Sequence, residues 1–274
     1  MTSLPTLLTL LGLLLVIGAF AGVISGLLGV GGGIVLVPAF FYVFTSLGYE
    51  GSQVMQVCLA TSLATIVFTS IRSVTGHHKR GSVDTTILRT WAPGIVIGAA
   101  IGVLTVSSLR SDVLQFAFGI LAFIVGLYMA LGRAHWKIAP EMPKGLRRAA
   151  LSPAVGFLSV LMGIGGGSFG VPLMSLHGVP TRRAVGTAAG FGLLIAVPSV
   201  LGFLFVSVDA ASRPPYTLGA VNIPAFLAVI SMTLLTAPLG VKLAHSIDQP
   251  KLKRIFAVFL LLVALNMLRG ALFG

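Results

Sequence analysis

The chain has 274 residues, of which 56% are hydrophobic and only 9% are charged, and its mean hydropathy is +1.05. This composition excludes a water-soluble globular domain, because so few charged side chains cannot cover a solvated surface. A net charge of +12 would suggest nucleic acid as the partner of a soluble protein. Here the basic residues lie in short loops between apolar segments, so we expect a lipid bilayer and no nucleic acid.

Apolar runs follow one another along the chain, several of them close to the roughly 20 residues that a helix needs to cross a bilayer. They cover residues 7–30, 54–74, 91–106, 113–131, 151–164, 186–206, 223–241 and 255–268. The alternation typical of an outer-membrane barrel is absent. The first run lacks the basic start and the cleavage site of a signal peptide, so we treat it as structure. The sequence therefore predicts an all-α polytopic membrane protein.

The sequence also contains an internal duplication. AGVISGLLGVGGG at 21–33 recurs as VGFLSVLMGIGGG at 155–167, and Val-Pro follows each glycine triplet at the same distance. Further along, Ala60-Thr61-Ser62 corresponds to Gly186-Thr187-Ala188, and Gly81-Ser82-Val83-Asp84 corresponds to Gly219-Ala220-Val221-Asn222. Internal repeats of this kind are common in secondary transporters.

Basic residues predict how the helices are oriented in the membrane, because cytoplasmic loops are enriched in lysine and arginine. All but three of the 18 fall in four clusters. These are Arg72, Lys79, Arg80 and Arg89; Arg133, Lys137, Lys144, Arg147 and Arg148; Arg182 and Arg183; and Lys242, Lys251, Lys253 and Arg254. The remaining three, Arg110, Arg213 and Arg269, mark the opposite side. With the clusters inside, both termini are outside.

The distribution of basic residues also predicts a hairpin at the start of each repeat. The first segment of each repeat must enter and leave the membrane on the same side. The predicted first repeat, 1–134, has a hairpin at 5–47 and helices at about 53–75, 86–107 and 112–132. A basic cytoplasmic linker follows at 135–147. The predicted second repeat, 148–274, has a hairpin at 149–178 and helices at about 184–207, 220–245 and 251–270. Three crossings per repeat make this an inverted-topology pair.

The glycine triplets are the candidate substrate site. Non-helical backbone is tolerated at membrane depth only where protein or a wet cavity surrounds it. The helix that restarts after each break points free amide hydrogens and the positive end of its dipole toward the protein centre, which favours an anion. The candidate residues are Gly31, Gly32, Gly33, Ile34, Thr61, Ser62, Gly165, Gly166, Gly167, Ser168 and Thr187. The alternative is that the glycines serve close helix packing.

The positions of the acidic residues and the single cysteine indicate that the substrate is an anion rather than a cation. The six acidic residues, Glu50, Asp84, Asp112, Glu141, Asp209 and Asp248, all lie at or near predicted loops. Cation carriers usually hold a carboxylate within the membrane. The lone Cys58 excludes an internal disulfide and a thiolate cluster. We therefore predict no metal, no cofactor and no enzymatic activity.

Two other functions remain open at this stage. An anion channel would use the same site without alternating access. A membrane serine hydrolase would use Ser168 of Gly166-Gly167-Ser168-Phe169-Gly170 as nucleophile and His177 as base. That motif depends on a strand before it and a helix after it, and no strand pattern precedes it here.

The G-x-G-G-G segments, each followed by Val-Pro, together with Ala184-Val185-Gly186-Thr187, resemble the TauE/SafE family of sulfite exporters. The resemblance implies a multi-pass permease of the prokaryotic plasma (inner) membrane. Its implied substrate is a small sulfur oxyanion or organosulfonate, such as sulfite or sulfoacetate. Export is the expected direction; the particular anion, a coupling ion and the oligomeric state stay open, and a homodimer is compatible with this architecture.

Overall fold

The computed structural model describes residues 4–28, 32–132, 136–244 and 249–273. This part of the chain forms ten α-helices and one small β-hairpin. The helices are α1 (Leu4–Leu28), α2 (Gly33–Ser46), α3 (Val54–Lys79), α4 (Thr85–Ser108), α5 (Ser111–Leu131), α6 (Gly145–Leu161), α7 (Gly167–Leu176), α8 (Thr181–Phe203), α9 (Ile223–Ala244) and α10 (Gln249–Phe273). Strands β1 (Thr217–Leu218) and β2 (Val221–Asn222) pair antiparallel just before α9.

The all-α membrane fold predicted from the sequence is confirmed. Six helices, α3, α4, α5, α8, α9 and α10, are long and apolar enough to cross a membrane by length and composition. Helices α2 and α7 are apolar but have only 14 and 10 residues, which is short for a crossing. The inverted orientation of the two repeats stays a prediction.

Helices α3 and α8 form the centre of the bundle. The most apolar stretch of α3 is 83% buried and that of α8 is 61% buried, whereas the other four long helices are 28–39% buried there. The two helices pack on each other, and α2 covers α3 as α7 covers α8. Small residues on α8, including Gly186, Ala188 and Gly190, are buried and let neighbouring backbones approach closely.

The outer helices pack crosswise between the two halves of the chain: α1 lies on α9, and α6 lies on α4. Glycines make both contacts close. A methyl group at Gly18 would lie 2.9 Å from the Val229 Cα, and one at Gly98 would overlap the Pro153 carbonyl. The Thr233 hydroxyl also donates to the Gly18 carbonyl at 3.1 Å. Each half therefore depends on the other for its packing.

A pair of matching hydrogen bonds also joins the halves, one at the start of α4 and one at the start of α9. The Asp84 backbone N–H donates to the Thr187 hydroxyl at 2.8 Å, and the Asn222 N–H donates to the Thr61 hydroxyl at 3.0 Å. Both threonines are fully buried. Asp84 and Asn222 in turn cap their own helices, with the Asn222 Oδ1 accepting from the Ala225 N–H at 3.0 Å.

We expect Thr187→Val to lower the free energy of unfolding by about 1–3 kcal/mol, because the substitution leaves the Asp84 N–H without its partner. Thr187→Ser retains the hydroxyl and should recover most of that loss. Thermal unfolding of the detergent-solubilised protein measures both variants. Equal unfolding temperatures for the valine and serine variants would show that the hydrogen bond contributes nothing.

The predicted orientation can be tested with cysteines, because the native Cys58 is fully buried and should not react with a water-soluble maleimide. Glu50 and Arg80 are both exposed, in the loops after α2 and α3. We expect an impermeant maleimide to label Glu50→Cys in intact cells and Arg80→Cys only after permeabilisation. Labelling of both from the same side would overturn the predicted topology.

Candidate functional site

The two short helices α2 and α7 both begin at the glycine triplets, in the interior of the bundle. Their first turns are preceded by Gly32 and Gly166, and neither glycine offers a side chain to cap the free amides. Gly32 has a φ of 72°, a backbone conformation that glycine adopts without strain. Gly29 and Gly31 lie outside the described residues. Each helix start therefore presents uncapped N–H groups, the arrangement that favours an anion.

The two glycine segments, which we call the first tip (residues 32–33) and the second tip (residues 163–167), contact each other. A methyl group at Gly33 would lie 2.6 Å from the Gly163 carbonyl oxygen and 3.0 Å from the Ile164 Cα. The Ser62 hydroxyl donates to the same Gly163 carbonyl at 2.7 Å. Two of the residues predicted from the sequence, Gly33 and Ser62, therefore both contact the second tip at Gly163. The predicted Ile34, next to Gly33, is buried. This contact between the tips fills the space beside Gly33.

A small cavity lies against the second tip. It is lined by Ser25, Thr69, Ser70, Ser73, Gly165, Gly166, Gly167, Ala188, Ala189 and Gly192. The volume open to the centre of a water molecule is about 10 Å³, which is room for roughly one water. The lining comes from α1 and α3 in the first half and from the second tip and α8 in the second half. The cavity therefore lies between the two halves.

Four hydroxyl groups face this cavity, and the sequence prediction included none of them. Ser70 and Thr69 are 5% and 7% exposed. The Thr69 hydroxyl makes a 3.3 Å hydrogen bond to the Ile66 carbonyl, whereas the Ser70 hydroxyl has no partner among the described residues. The sequence does contain a pattern that would have found two of them, Thr69 and Ser73, because the hydroxyl residues 62, 65, 69 and 73 recur at helical spacing along α3.

Three of the predicted hydroxyl residues lie elsewhere. Thr61 and Thr187 accept the backbone hydrogen bonds that join the halves. Ser168 is 5% exposed in the first turn of α7, and its hydroxyl has no hydrogen-bond partner in the described part of the chain. It is not among the residues that line the cavity.

The arrangement does not support the hydrolase alternative. Ser168 and His177 lie at opposite ends of α7, about 13 Å apart along the helix axis at 1.5 Å per residue. The His177 Nδ1 is 2.7 Å from the Leu173 carbonyl, one turn before it on the same helix. A nucleophile and its base must be within hydrogen-bonding distance.

Among the residues that the structure describes, no charged side chain lines the cavity. Acidic residues within the described ranges lie in loops or first helical turns, as Asp84 and Asp112 do at the starts of α4 and α5. In the same ranges, no three His, Cys, Asp or Glu side chains are grouped as metal ligands. The polar groups available at the cavity are hydroxyls and backbone amides, which can bind a small anion through hydrogen bonds.

The fold and this site define a multi-pass helical membrane protein in which two broken-helix elements meet at the centre, an architecture used by transporters. The family described as sulfite exporter TauE/SafE matches residues 14–267, and the chain belongs to this family of membrane transporters. The resemblance drawn from the glycine segments is thereby confirmed. Membership in this transporter family implies that the protein is embedded in a membrane and has a small-molecule substrate.

Relatives of known sequence are similar over almost their whole length. A probable membrane transporter protein of Haemophilus influenzae is 32% identical over 94% of this chain and 98% of its own. Probable membrane transporter proteins of Methanocaldococcus jannaschii and Bacillus subtilis are 28% and 27% identical, over 95% and 96% of this chain and 96% and 98% of their own. No solved structure matches the chain significantly.

Proposed function

We propose that this protein is a secondary transporter that exports a small anion across the prokaryotic plasma membrane, with the substrate bound near the midplane at the glycine-rich hairpin tips. The observation that supports this proposal is the start of α7, where uncapped amides adjoin a cavity that is lined, among the described residues, by hydroxyls and by no carboxylate. The proposed site includes Gly32, Gly33, Gly165, Gly166, Gly167 and Ser168, with Ile34, Ser62, Thr61 and Thr187 around them.

The substrate class follows from the family and from the chemistry of the site together. The family is described as one of sulfite exporters. We therefore propose a sulfur oxyanion or an organosulfonate, such as sulfite or sulfoacetate. A sulfonate or sulfite group presents several oxygens that accept hydrogen bonds from hydroxyls and amides at once.

The position of the cavity supports loading from the cytoplasm. Ser70 lies nine residues before the end of α3 at Lys79, about 13 Å along the axis, and 16 residues, about 24 Å, after its start at Val54. Lys79 belongs to a basic cluster that we predict to be cytoplasmic. Ser70 is thus about 5 Å from the middle of α3, near the midplane but on the predicted cytoplasmic side, which suits an exporter that receives its substrate from inside.

Export of a monoanion requires no coupled ion. A potential of about 100 mV, negative inside, favours its outward movement by about 2.3 kcal/mol. Uptake of the same ion would need a proton or another gradient. The rate of transport should therefore rise with the imposed potential, and a rate independent of potential would contradict the export mechanism.

Reconstituted vesicles test the proposal directly. The purified protein in liposomes, loaded with ³⁵S-sulfite, should release the label faster than protein-free liposomes, and faster still when a potassium gradient with valinomycin makes the interior negative. Saturation with substrate concentration distinguishes a carrier from a channel, which would conduct far above carrier rates. Release equal to that of empty liposomes for sulfite, sulfoacetate and methanesulfonate would refute the proposed function.

A further inference from the structure

The two hairpin tips are alike in sequence but differ in their surroundings. At the first tip, a methyl group on Gly33 would lie 2.9 Å from the Ile66 side chain and 2.6 Å from the Gly163 carbonyl, so the space is filled. At the second tip, the residue that corresponds to Ile66 is Gly192, which borders the cavity. Among the described residues, a cavity therefore adjoins the second tip, whereas the space beside Gly33 at the first tip is filled.

Ser70 is the side chain whose placement a bound anion would explain. It is 95% buried, since its exposed fraction is 5%, yet its hydroxyl makes no hydrogen bond to any described residue. A methyl group at Gly192 would overlap the Ser70 Oγ and would lie 3.7 Å from the Gly166 backbone nitrogen. The hydroxyl thus faces the start of α7. Ser70 also lines the cavity, so a water or a ligand there can satisfy its hydroxyl.

The charge around the cavity limits the charge of the ligand. The lining consists of glycines, alanines and four hydroxyl residues, and none of its side chains is cationic. The start of a helix contributes the equivalent of about half a positive charge. That is enough to favour a monoanion, but a dianion would lose its hydration with no compensating cation. The cavity has room for about one water in this structure, so it must widen before it can hold an ion with several heavy atoms.

We infer that the transport site is built at the second tip, selects an oxyanion that carries one negative charge, and binds it in part through the Ser70 hydroxyl. This inference rests on the proposed function and narrows it. Hydrogensulfite fits these limits, whereas sulfoacetate and sulfate, each with two charges, do not.

Competition in the vesicle assay tests the charge limit. Methanesulfonate and sulfoacetate share a sulfonate group and differ by one carboxylate. In wild-type vesicles at a pH where hydrogensulfite dominates, we expect methanesulfonate to compete with ³⁵S-sulfite, and sulfoacetate and sulfate not to compete. Equal competition by sulfoacetate would overturn the charge limit while sulfite transport by the wild type continued to support the proposed function.

Variants test the role of Ser70. Ser70→Ala removes no hydrogen bond within the protein, so its unfolding temperature should not change, but its KM for sulfite should rise about tenfold because a bond to a charged ligand is lost. Ser199→Ala is the matched control: Ser199 corresponds to Ser73 in the other repeat, is fully buried, and donates to the Ile195 carbonyl at 2.7 Å. The KM of Ser199→Ala for sulfite should stay within about twofold of the wild-type value.

Gly192→Ala provides a second test that does not depend on one hydrogen bond. Its methyl group meets the rotatable Ser70 hydroxyl rather than backbone, so the protein should fold while the cavity is filled. We expect sulfite release to fall to the level of empty liposomes. The second-tip site would be overturned if Ser70→Ala had the wild-type KM for sulfite, or if Gly192→Ala released sulfite as fast as the wild type. If the wild type itself released no sulfite, the proposed function would be overturned as well.

Discussion

Replacing Gly98 by leucine is expected to cost about 3 kcal/mol or more of stability and to remove most of the folded protein from the membrane. Gly98 lies where α4 crosses α6, and a methyl group there would overlap the Pro153 carbonyl and lie 2.7 Å from its Cα. Neither atom can move without displacing a helix. Close packing of small residues is a principal source of helix association in a bilayer, where lipid removes the hydrophobic driving force.

Gly12→Leu is the control for this substitution. Gly12 lies on α1 and has no atom within 4 Å of its would-be methyl group. Its leucine variant should be produced at the wild-type level, because leucine forms helices more readily than glycine. Fluorescence-detected size-exclusion chromatography with a temperature series measures both variants. If Gly98→Leu eluted and unfolded as the wild type does, the close crossing of α4 and α6 would be wrong.

Gly33→Val is expected to abolish transport, with a fall of at least about 100-fold in the rate of sulfite release, because a site displaced by about 1 Å loses that much. The valine side chain would enter the space held by the Gly163 carbonyl and the Ile164 Cα, and would separate the two tips. Overpacking of this kind also costs about 1–3 kcal/mol of stability. The vesicle assay and thermal unfolding, applied to the same preparation, separate the two effects.

Ser62→Ala and Gly76→Val provide the comparison for the tip contact. Ser62→Ala removes only the hydrogen bond to the Gly163 carbonyl, so it should lower transport less than Gly33→Val does. Gly76 has no atom within 4 Å of its would-be methyl group, and its valine variant should transport normally. Normal transport by Gly33→Val would show that the tips need not touch for function.

The glycine triplets themselves are less suitable positions for testing the site. A methyl group at Gly166 would overlap the Phe191 Cβ and lie 2.7 Å from the Ala188 carbonyl oxygen. Gly32 combines a positive φ with a 3.1 Å approach to the Ala21 carbonyl. Loss of transport after a substitution at Gly166 or Gly32 could therefore come from disturbed packing or from loss of substrate binding. Substitutions at Ser70 and Gly192 distinguish these two causes.

Both interpretations of the glycines that the sequence left open find support in the fold. Gly18, Gly98 and similar positions make close crossings between helices. Gly165, Gly166 and Gly167 border the cavity as well. Sequence alone could not separate these uses, because both depend on the absence of a side chain and differ only in what lies opposite.

Composition and local pattern determined the class of this protein. Long apolar runs can satisfy their backbone groups in lipid only as helices, so the all-α membrane fold follows from hydropathy alone. The duplicated glycine segments likewise predicted the starts of α2 and α7. The effect of glycine on the backbone is local, so it can be predicted without the tertiary structure. The family resemblance rested on the same segments.

Only the tertiary structure decided which hydroxyls face the cavity and which tip has room. Ser70 and Gly166 are 96 residues apart in the sequence and meet because α3 packs on α8. The repeat pattern predicted Thr61 and Thr187 as equivalent residues, and only the structure shows that both accept the hydrogen bonds that join the halves. Isoleucine at 66 lies against Gly33, whereas the corresponding Gly192 borders the cavity, and the volume of that side chain matters only once the helices are packed.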